Sequence, residues 1–560
     1  MPQDAFHLRR LATELNTFLS GGKVNRITQI DKDEVDFVVY TGAKTVKLVL
    51  STNASNARVC LTNTDKEPLP TPPSFCMLLR KHLQGAKITS IEQVGFERIL
   101  KICFWCVNDF SQTERVLYCE LMGKYSNLIL VEKGLILGAL KTTSLEENTK
   151  RILFSGAEYF FPDPQEKASI FDEEKMREVS LRYGELEEKK ADEEERAVFL
   201  FDNVSGLALP TAREVVKRIK DVPVYEFLLN FCQNEPCFAC LVGEGETPTD
   251  FFAFLVDGGK EVASLCLAED IFYSAKEQKK AFDGAKKKLE SAIKAAKKKQ
   301  EKKLKLTEEK LLESLGAETE RKKGELLTAN LYKIQKGDSS VEVIDWESGE
   351  TVKLTLDPTL SPAKNAQRYF KAYTKKRRAQ EILLPRKADE EKELLYLETL
   401  EFSVRNALCK TDLKEIEEEL VSAQILRVQG QKTGKKKTIE TPFRRYEKDG
   451  FLVLVGRNNL QNDRLLRACA PDDIWLHAQK YHSAHVVIKK DGKKIPDGVI
   501  VFAAEICAYF SDGRNADKIP VDYCEKSRVK KPNGAKAGFV VYNEYKTVMV
   551  KPTAHEETVE

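Results

Sequence analysis

Residues 276–305, KEQKKAFDGAKKKLESAIKAAKKKQEKKLK, carry 13 lysines against 4 acidic residues, with no proline and Gly284 as the only glycine. Such a run has too little apolar surface for a core of its own and no helix breaker, so it reads as a long solvated helix. Its counterpart is EEKELLYLETLEFSVRNAL at 390–408, where Leu397, Leu400, Val404 and Ala407 recur at spacings of 3, 4 and 3, the seam of a coiled coil. The pair predicts a long antiparallel coiled-coil arm. About 40 helical residues reach roughly 60 Å, a length that is costly to keep folded unless it spans something large.

Between the two helices, LYKIQKGDSSVEVIDWESGETVKLTLDPTLSPAKNAQRYFKAYTKK (331–376) shifts to strand-like alternation and then back to helix, which predicts a small middle tip on the arm. A glycine- and lysine-rich linker, VQGQKTGKKKTIETPFRR (428–445), follows the arm.

Upstream, AFHLRRLATELNTFL (5–19) has helical spacing, while GGKVNRITQI (21–30), DEVDFVVYT (33–41) and KTVKLVLST (44–52) alternate as strands. A helical PSFCMLLRKHLQGAK (73–87) and strand-like RVLYCELM (115–122) and SNLILVEKG (126–134) complete an N-terminal α+β module. LFDNVSGLALPTAREVVKRI (200–219) resembles half of a helix-hairpin-helix, with a turn at Gly206 and a second helix starting near Pro210 and Thr211. The free N–H groups of that second helix could face a phosphate, although ordinary helix packing produces the same pattern.

Downstream from Tyr446, GFLVLVGRNN (450–459), DIWLHAQ (473–479), HVVI (485–488), PVDYCEKSRV (520–529) and GFVVYNEYKTVMV (538–550) read as strands, with GVIVFAAEICAYFS (498–511) as one helix. This second α+β module carries Arg457, Lys489, Lys490, Arg528, Lys530, Lys531 and Lys536. The predicted fold class is therefore multidomain α+β. A length of 560 residues agrees, since it exceeds what one core serves.

Charged residues make up 32% of the chain, and the net charge of +3 conceals strong local segregation. The 13 cysteines lie mostly in apolar runs without framework spacing, as expected for reduced thiols of a cytosolic protein. Cys103 and Cys106 form a CxxC, but KICFWCVND around them reads as a buried strand rather than a redox turn or zinc knuckle. The opening MPQDAFHLRRLATEL is charged where a secretory signal needs an apolar stretch, and no window approaches the roughly 18 apolar residues of a membrane span. A cytoplasmic protein without a membrane partner is expected.

Three of the six histidines, His477, His482 and His485, fall within DDIWLHAQKYHSAHVVIKK (472–490). Their spacing matches no standard zinc pattern, and Ser483 lacks the strand-turn-helix setting of a nucleophile. Neither a metal nor a catalytic residue is assigned. Two readings remain open: packing histidines, or rings beside Trp475 that stack on RNA bases while nearby lysines neutralise phosphates.

Several stretches together resemble the NFACT family: PPSFCMLLRKHLQGAKI (72–88), CELMGKYSNLILV (119–131), GELLTANLYKI (324–334), LDPTLSPAKNAQRYFKAYTK (356–375), DIWLHA (473–478) with HVVI, and IPVDYCEKSRVKKPNGAKAGFVVY (519–542). They run through nearly the whole chain in the family's order, and its bacterial ribosome quality-control branch, also labelled fibronectin-binding, is the most similar. The resemblance implies four parts: a formamidopyrimidine-DNA glycosylase-like module over 1–170, a helix-hairpin-helix region over 171–270, a coiled-coil and middle domain over 271–430, and an RNA-binding module over 431–560.

The function it implies is to bind the large ribosomal subunit, through rRNA and ribosomal proteins, while peptidyl-tRNA still obstructs it. Alanyl-tRNA is then recruited so that alanines extend the stalled chain without mRNA. A small RNA-binding accessory factor belongs to the same expectation, and no cofactor does. Bond formation would fall to the ribosome. The family's acidic-Arg motif, usually Asp-Arg, falls on GFERIL (95–100) as Glu97 and Arg98. With Arg80 and Lys81 of PPSFCMLLRKHLQGAKI these are the implied tRNA-binding residues; Trp475, His477, His485, Arg528, Lys530, Lys531 and Lys536 are the implied RNA-binding set.

Two departures matter. Where relatives read Pro-Gly-Ser-His before VVI, this chain has HSAH (482–485), so His485 keeps the family position and His482 reads as incidental. Pro2 is followed by Gln3 where a DNA glycosylase places a catalytic Glu, which speaks against base excision. A fibronectin-binding adhesin and a DNA glycosylase or lyase are the alternative functions.

Overall fold

The computed structural model describes residues 3–108, 111–143, 151–163, 165–219, 222–234, 237–243, 247–427 and 441–558. Pro2 and linker residues 428–440 lie outside the described residues. The chain divides into two compact units, Met1–Lys280 and Ala281–Glu560.

In the first unit, α1 (Ala5–Leu19) is capped by Asp4, whose carboxylate accepts from His7 N–H at 2.9 Å. Its helical stripe Leu8, Leu11, Leu15 and Leu19 is buried against a sheet. That sheet comprises β1 (Lys23–Gln29), β2 (Glu34–Tyr40), β3 (Thr45–Ser51) and β4 (Arg58–Thr62), then, after α2 (Ser74–Leu83), β5 (Lys87–Gln93), β6 (Ile99–Asn108), β7 (Ser111–Glu120), β8 (Asn127–Glu132) and β9 (Leu135–Ala139). All nine strands are antiparallel, in the order β4-β3-β2-β1-β5-β6-β7-β8-β9. Cys103 and Cys106 are buried in β6, where burial pushes both thiols up.

A helical layer of α3 (Glu173–Glu188), α4 (Glu193–Asn203), α5 (Leu209–Arg218) and α6 (Val224–Gln233) encloses a second core around Phe6, Phe96, Tyr183 and Leu228. Between α4 and α5, Gly206 has φ +74°, and a Cβ there would lie 2.5 Å from that of Ala5, so the turn requires glycine. The Asp4 carboxylate also accepts from Ala208 N–H at 3.2 Å. A protein carboxylate therefore already sits at the start of α5, where the phosphate reading needs an open anion site. A small sheet of β10 (Ala239–Val242), β11 (Asp250–Phe252) and β12 (Lys260–Val262) follows.

The 50-residue α7 (Leu265–Ser314) enters the second unit at Ala281 and ends before Gly316, whose φ of +82° starts α8 (Ala317–Ala329). The hairpin β13 (Ser340–Ile344) and β14 (Thr351–Thr355) precedes the 44-residue α9 (Pro362–Arg405), which contains Pro385. The α7 and α9 helices pair in opposite order along the chain. Lys297 meets Glu398 and Glu401 at 3.3 and 3.1 Å, Gln300 donates to the Glu390 carbonyl at 3.1 Å, and Lys387 meets Glu308 at 2.9 Å. Leu289 and Ile293 pack there with Leu397, Leu400 and Val404 of α9 and Ile416 of α10 (Lys410–Ser422).

The C-terminal module holds β15 (Arg444–Lys448), β16 (Phe451–Val455), α11 (Asn459–Ala468), β17 (Ile474–Ala478), β18 (Val486–Ile488), α12 (Asp497–Tyr509), β19 (Ile519–Glu525), β20 (Val529–Lys530), β21 (Val541–Tyr542) and β22 (Lys546–Val550). Six strands form an antiparallel sheet, β15-β16-β18-β17-β19-β22, and β20 pairs with β21. Two expectations are corrected here. The module has two helices, because α11 presents Asn459, Gln461 and Asn462 inward and so lacks the apolar period of a buried helix. The expected strand 538–550 is broken between β21 and β22, where Glu544 takes a left-handed φ of +50°. Among the described residues no helix is long and apolar enough to cross a membrane.

Candidate nucleic-acid interface

Strand alternation sorts the DIWLHA segment to two sides of the C-terminal sheet. Leu476 and Ala478 enter the core under α12, whereas Trp475 packs on the opposite face with Leu465 of α11, Val487 and Cys524. His477, two residues on, shares the face of Trp475. On the adjoining stretch, His485 donates its backbone N–H to Asn462 Oδ1 at 3.2 Å, tying the start of β18 to α11. The residues from 456 to 462 fit closely: a Cβ on Gly456 would lie 2.1 Å from that same Asn462 oxygen.

Above this face lies a cavity of about 1130 Å³. Its floor is Trp475, His477 and His485, one wall is Asn458, Asn459 and Asn462, and another is the stretch of α9 containing Tyr396 and Glu398. The loop 532–540 forms the remaining wall, where Gly538, at φ +76°, approaches so closely that a Cβ would meet Asn459 Oδ1 at 2.8 Å. Trp475 and His477 stack, with ring centroids 5.7 Å apart and planes 9° from parallel. His485 stands edge-on to both, at 5.3 Å from Trp475 and 5.6 Å from His477.

Burial sets the charge state of these rings. It lowers His477 to about 4 and His485 well below its ordinary value, with His477 beside it adding to the shift. Both imidazoles are neutral at pH 7, so each offers one donor and one acceptor. Trp475 Nε1 and His485 Nδ1 are buried with no hydrogen-bond partner among the described residues.

The histidine cluster therefore differs from a surface stacking platform. Trp475 is 0% exposed and cannot present its face to a base from solvent; the rings that reach the rim are Tyr481 and Phe539, 36% and 45% exposed. His482, expected to be incidental, also lines the cavity, 3.6 Å from Glu398.

The basic residues are less available than a count suggests. Arg528 pairs with Glu544 at 2.8 Å, Lys531 pairs with Asp463, and Lys536 pairs with Glu393 at 3.1 Å while lying 4.8 Å over the Tyr396 ring. Lys530 and Lys480 are exposed without an ion-pair partner among the described residues, and Lys480 borders the cavity. Sequence reasoning missed Asn458, Asn459 and Asn462, whose one local signal is the Asn458 side chain capping α11 through Gln461 N–H at 2.9 Å. Tyr396 and Glu398 lie far away along the chain, and no signal near the histidines points to them.

In the first unit, Glu97 and Arg98 end a tight turn that leads into β6, with Glu97 N–H donating to the Val94 carbonyl at 3.1 Å. Burial raises the Glu97 carboxyl, countered by the Ser205 hydroxyl, 3.5 Å away, and by Arg98. The Arg98 guanidinium is half-buried and has no hydrogen-bond acceptor among the described residues. Arg80, in the last turn of α2, donates Nε–H to the Ile27 carbonyl at 2.7 Å, and Lys81 beside it is exposed. No hydrogen bond or ion pair among the described residues joins Arg80 or Lys81 to Glu97 or Arg98. Gln3 is 4% exposed, and neither atom of its amide has a hydrogen-bond partner among the described residues.

Comparison with known proteins separates the C-terminal module from the rest of the chain. Residues 4–439 match the family model described as NFACT N-terminal and middle domains, and residues 441–543, which hold most of the cavity walls, match the NFACT protein RNA binding domain. The Rqc2 homolog RqcH of Bacillus subtilis is 34% identical over 99% of this chain and 98% of its own length. The Rqc2 homolog RqcH of Streptococcus pneumoniae is 33% identical over the same shares, 99% and 98%. Ribosome quality control complex subunit 2 of Saccharomyces cerevisiae is 30% identical over 26% of this chain and 13% of its own length. With both domain models matched in sequence order and relatives similar from end to end, the chain belongs to the NFACT family.

Proposed function

We propose that this chain is a cytoplasmic ribosome quality-control factor. In this reading it binds the large ribosomal subunit obstructed by peptidyl-tRNA and recruits alanyl-tRNA, so that alanines extend the stalled nascent chain without mRNA. The observation that carries the reading is the similarity over 99% of the chain to proteins named Rqc2 homolog RqcH. Arg98, half-buried and without a hydrogen-bond acceptor among the described residues, supports a tRNA contact, because such a guanidinium can donate two parallel hydrogen bonds to phosphate or a base edge. Glu97, Arg80 and Lys81 complete the proposed tRNA-binding set.

In the same reading the long helices form a coiled-coil arm with β13 and β14 at its tip, α4 and α5 form a helix-hairpin-helix, and residues 1–170 adopt a glycosylase-like fold. Residues 431–560 form the RNA-binding module, with Lys530 as an open phosphate contact and an accessory RNA-binding factor as a further partner. The protein would select and position tRNA while the ribosome's own centre makes the peptide bond, a division in which catalysis comes from holding reactants in register. Affinity purification from cells followed by RNA sequencing tests the assignment. Large-subunit rRNA with enriched alanine tRNA is the expected yield; recovery of neither would overturn it.

A further inference from the structure

The cavity over the C-terminal sheet has a charge pattern that separates its depth from its mouth. Deep inside are neutral rings and amides: His477, His485, Trp475 and the Asn462 side chain. His485 is 2% exposed, and its Nδ1, like Trp475 Nε1, has no hydrogen-bond partner among the described residues. Toward α9 the wall carries Glu393, paired with Lys536, and Glu398, paired with Lys297. At the mouth stand Lys480, without an ion-pair partner among the described residues, and the half-exposed rings of Tyr481 and Phe539.

A phosphate does not fit the interior. The imidazoles are uncharged there, as burial holds His477 near 4, and the lining cations Lys536 and Arg457 are already paired with Glu393 and Glu557. A flat, neutral, aromatic ligand with its own donors and acceptors fits better. The partly exposed ring of His477, with Tyr481 and Phe539 at the rim, supplies stacking surface, and the neutral imidazole of His477 supplies a donor and an acceptor. A volume of about 1130 Å³ holds a nucleotide with space to spare.

We propose that this cavity is a nucleobase pocket, which takes an unpaired, splayed-out nucleotide of single-stranded or looped RNA with its base against His477 and the rim rings Tyr481 and Phe539, and its phosphates outside at Lys480. The inference rests on the RNA-binding reading of this module and adds that recognition is of a base rather than of backbone alone. It also gives His477 and the aromatic rim one shared purpose, and makes Glu398 and Tyr396 part of the same site.

The test uses the full chain, a short fluorescent single-stranded RNA, and an oligomer of the same length made of abasic ribose phosphates. The base-bearing RNA is expected to bind about tenfold tighter or more, while the two share one salt dependence, since their phosphates are the same. His477→Ala removes the accessible ring of the floor and is expected to erase that preference and leave the salt dependence intact. Should this variant fail to fold, photo-crosslinking of 4-thiouridine RNA to the unaltered protein decides, with adducts expected on Tyr481, His482 or Phe539. Equal affinity for the two oligomers, or crosslinks confined to other surfaces, overturns the pocket while RNA binding stands, and leaves the cavity to a protein occupant. Failure to bind either oligomer overturns the RNA-binding reading together with the pocket.

Discussion

His477 and Glu419 lie in the same unit and respond to pH in opposite senses. Burial depresses the folded His477 to about 4 from 6.5, so between these values the unfolded chain binds more protons. That contribution to stability is present above pH ~6.5 and is lost as the pH falls toward 4, up to about 3 kcal/mol. Burial raises Glu419 to about 7 from 4.5, with Asn459 and Tyr396 donating against the shift. Here the folded state binds more protons, so stability is greatest below pH ~4.5 and is lost as the pH rises through 7. Glu419→Gln removes the second effect alone. Its unfolding midpoint, measured by denaturation, is expected to rise relative to the unaltered protein at about pH 8 and to change little near pH 5. Arg98 is the residue on which the functional proposal turns. Arg98→Ala should leave large-subunit cosedimentation intact and reduce alanine tailing by roughly 10- to 100-fold, the worth of a charge-assisted hydrogen-bond pair. Undiminished tailing would remove Arg98 from the proposed set.

Among the elements, α9 shows what sequence periodicity can carry. Leu397, Leu400 and Val404, picked out by spacing alone, are buried in the cluster shared with Leu289 and Ile293 of α7. Leu400→Ala should cost about 2–5 kcal/mol in chemical denaturation followed by helical circular dichroism. Lys297→Ala, on the half-buried ion-pair face, should cost about 1 kcal/mol or less. The α11 helix shows the limit. Its inward residues are polar because they serve Glu415: Asn458 and Gln461 donate to that carboxylate at 2.6 and 2.9 Å, and Arg464 lies at 2.7 Å. Burial alone would raise Glu415, but these donors hold it below its ordinary value. A helix that buries amides has no apolar stripe to read, so α11 was hidden in NLQNDRLLRA. The site was half legible for a similar reason: His477 and His485 stand in one short run, but the wall that turns them into a cavity comes from Tyr396 and Glu398, some eighty residues away, and from asparagines with no periodic signal.

At the scale of the whole molecule, the net charge of +3 is too small to drive binding to a polyanion, so the clustered lysines must do so locally. Affinity for large subunits should therefore fall linearly with log salt, with a slope that counts phosphate contacts; salt-independent binding would point to protein contacts instead. One feature of α11 reaches beyond binding. The residues that fasten the C-terminal module to α10, Asn458, Gln461 and Arg464 against Glu415 and Asn459 against Glu419, are hydrogen-bonding groups, and water can replace each of them. A module joined through such groups exposes hydrogen-bonding groups, which water can satisfy, where it leaves α10. It is preadapted for genetic transplantation: the same C-terminal segment could be shuffled onto other chains, or persist as a small protein, without bringing an aggregation hazard with it.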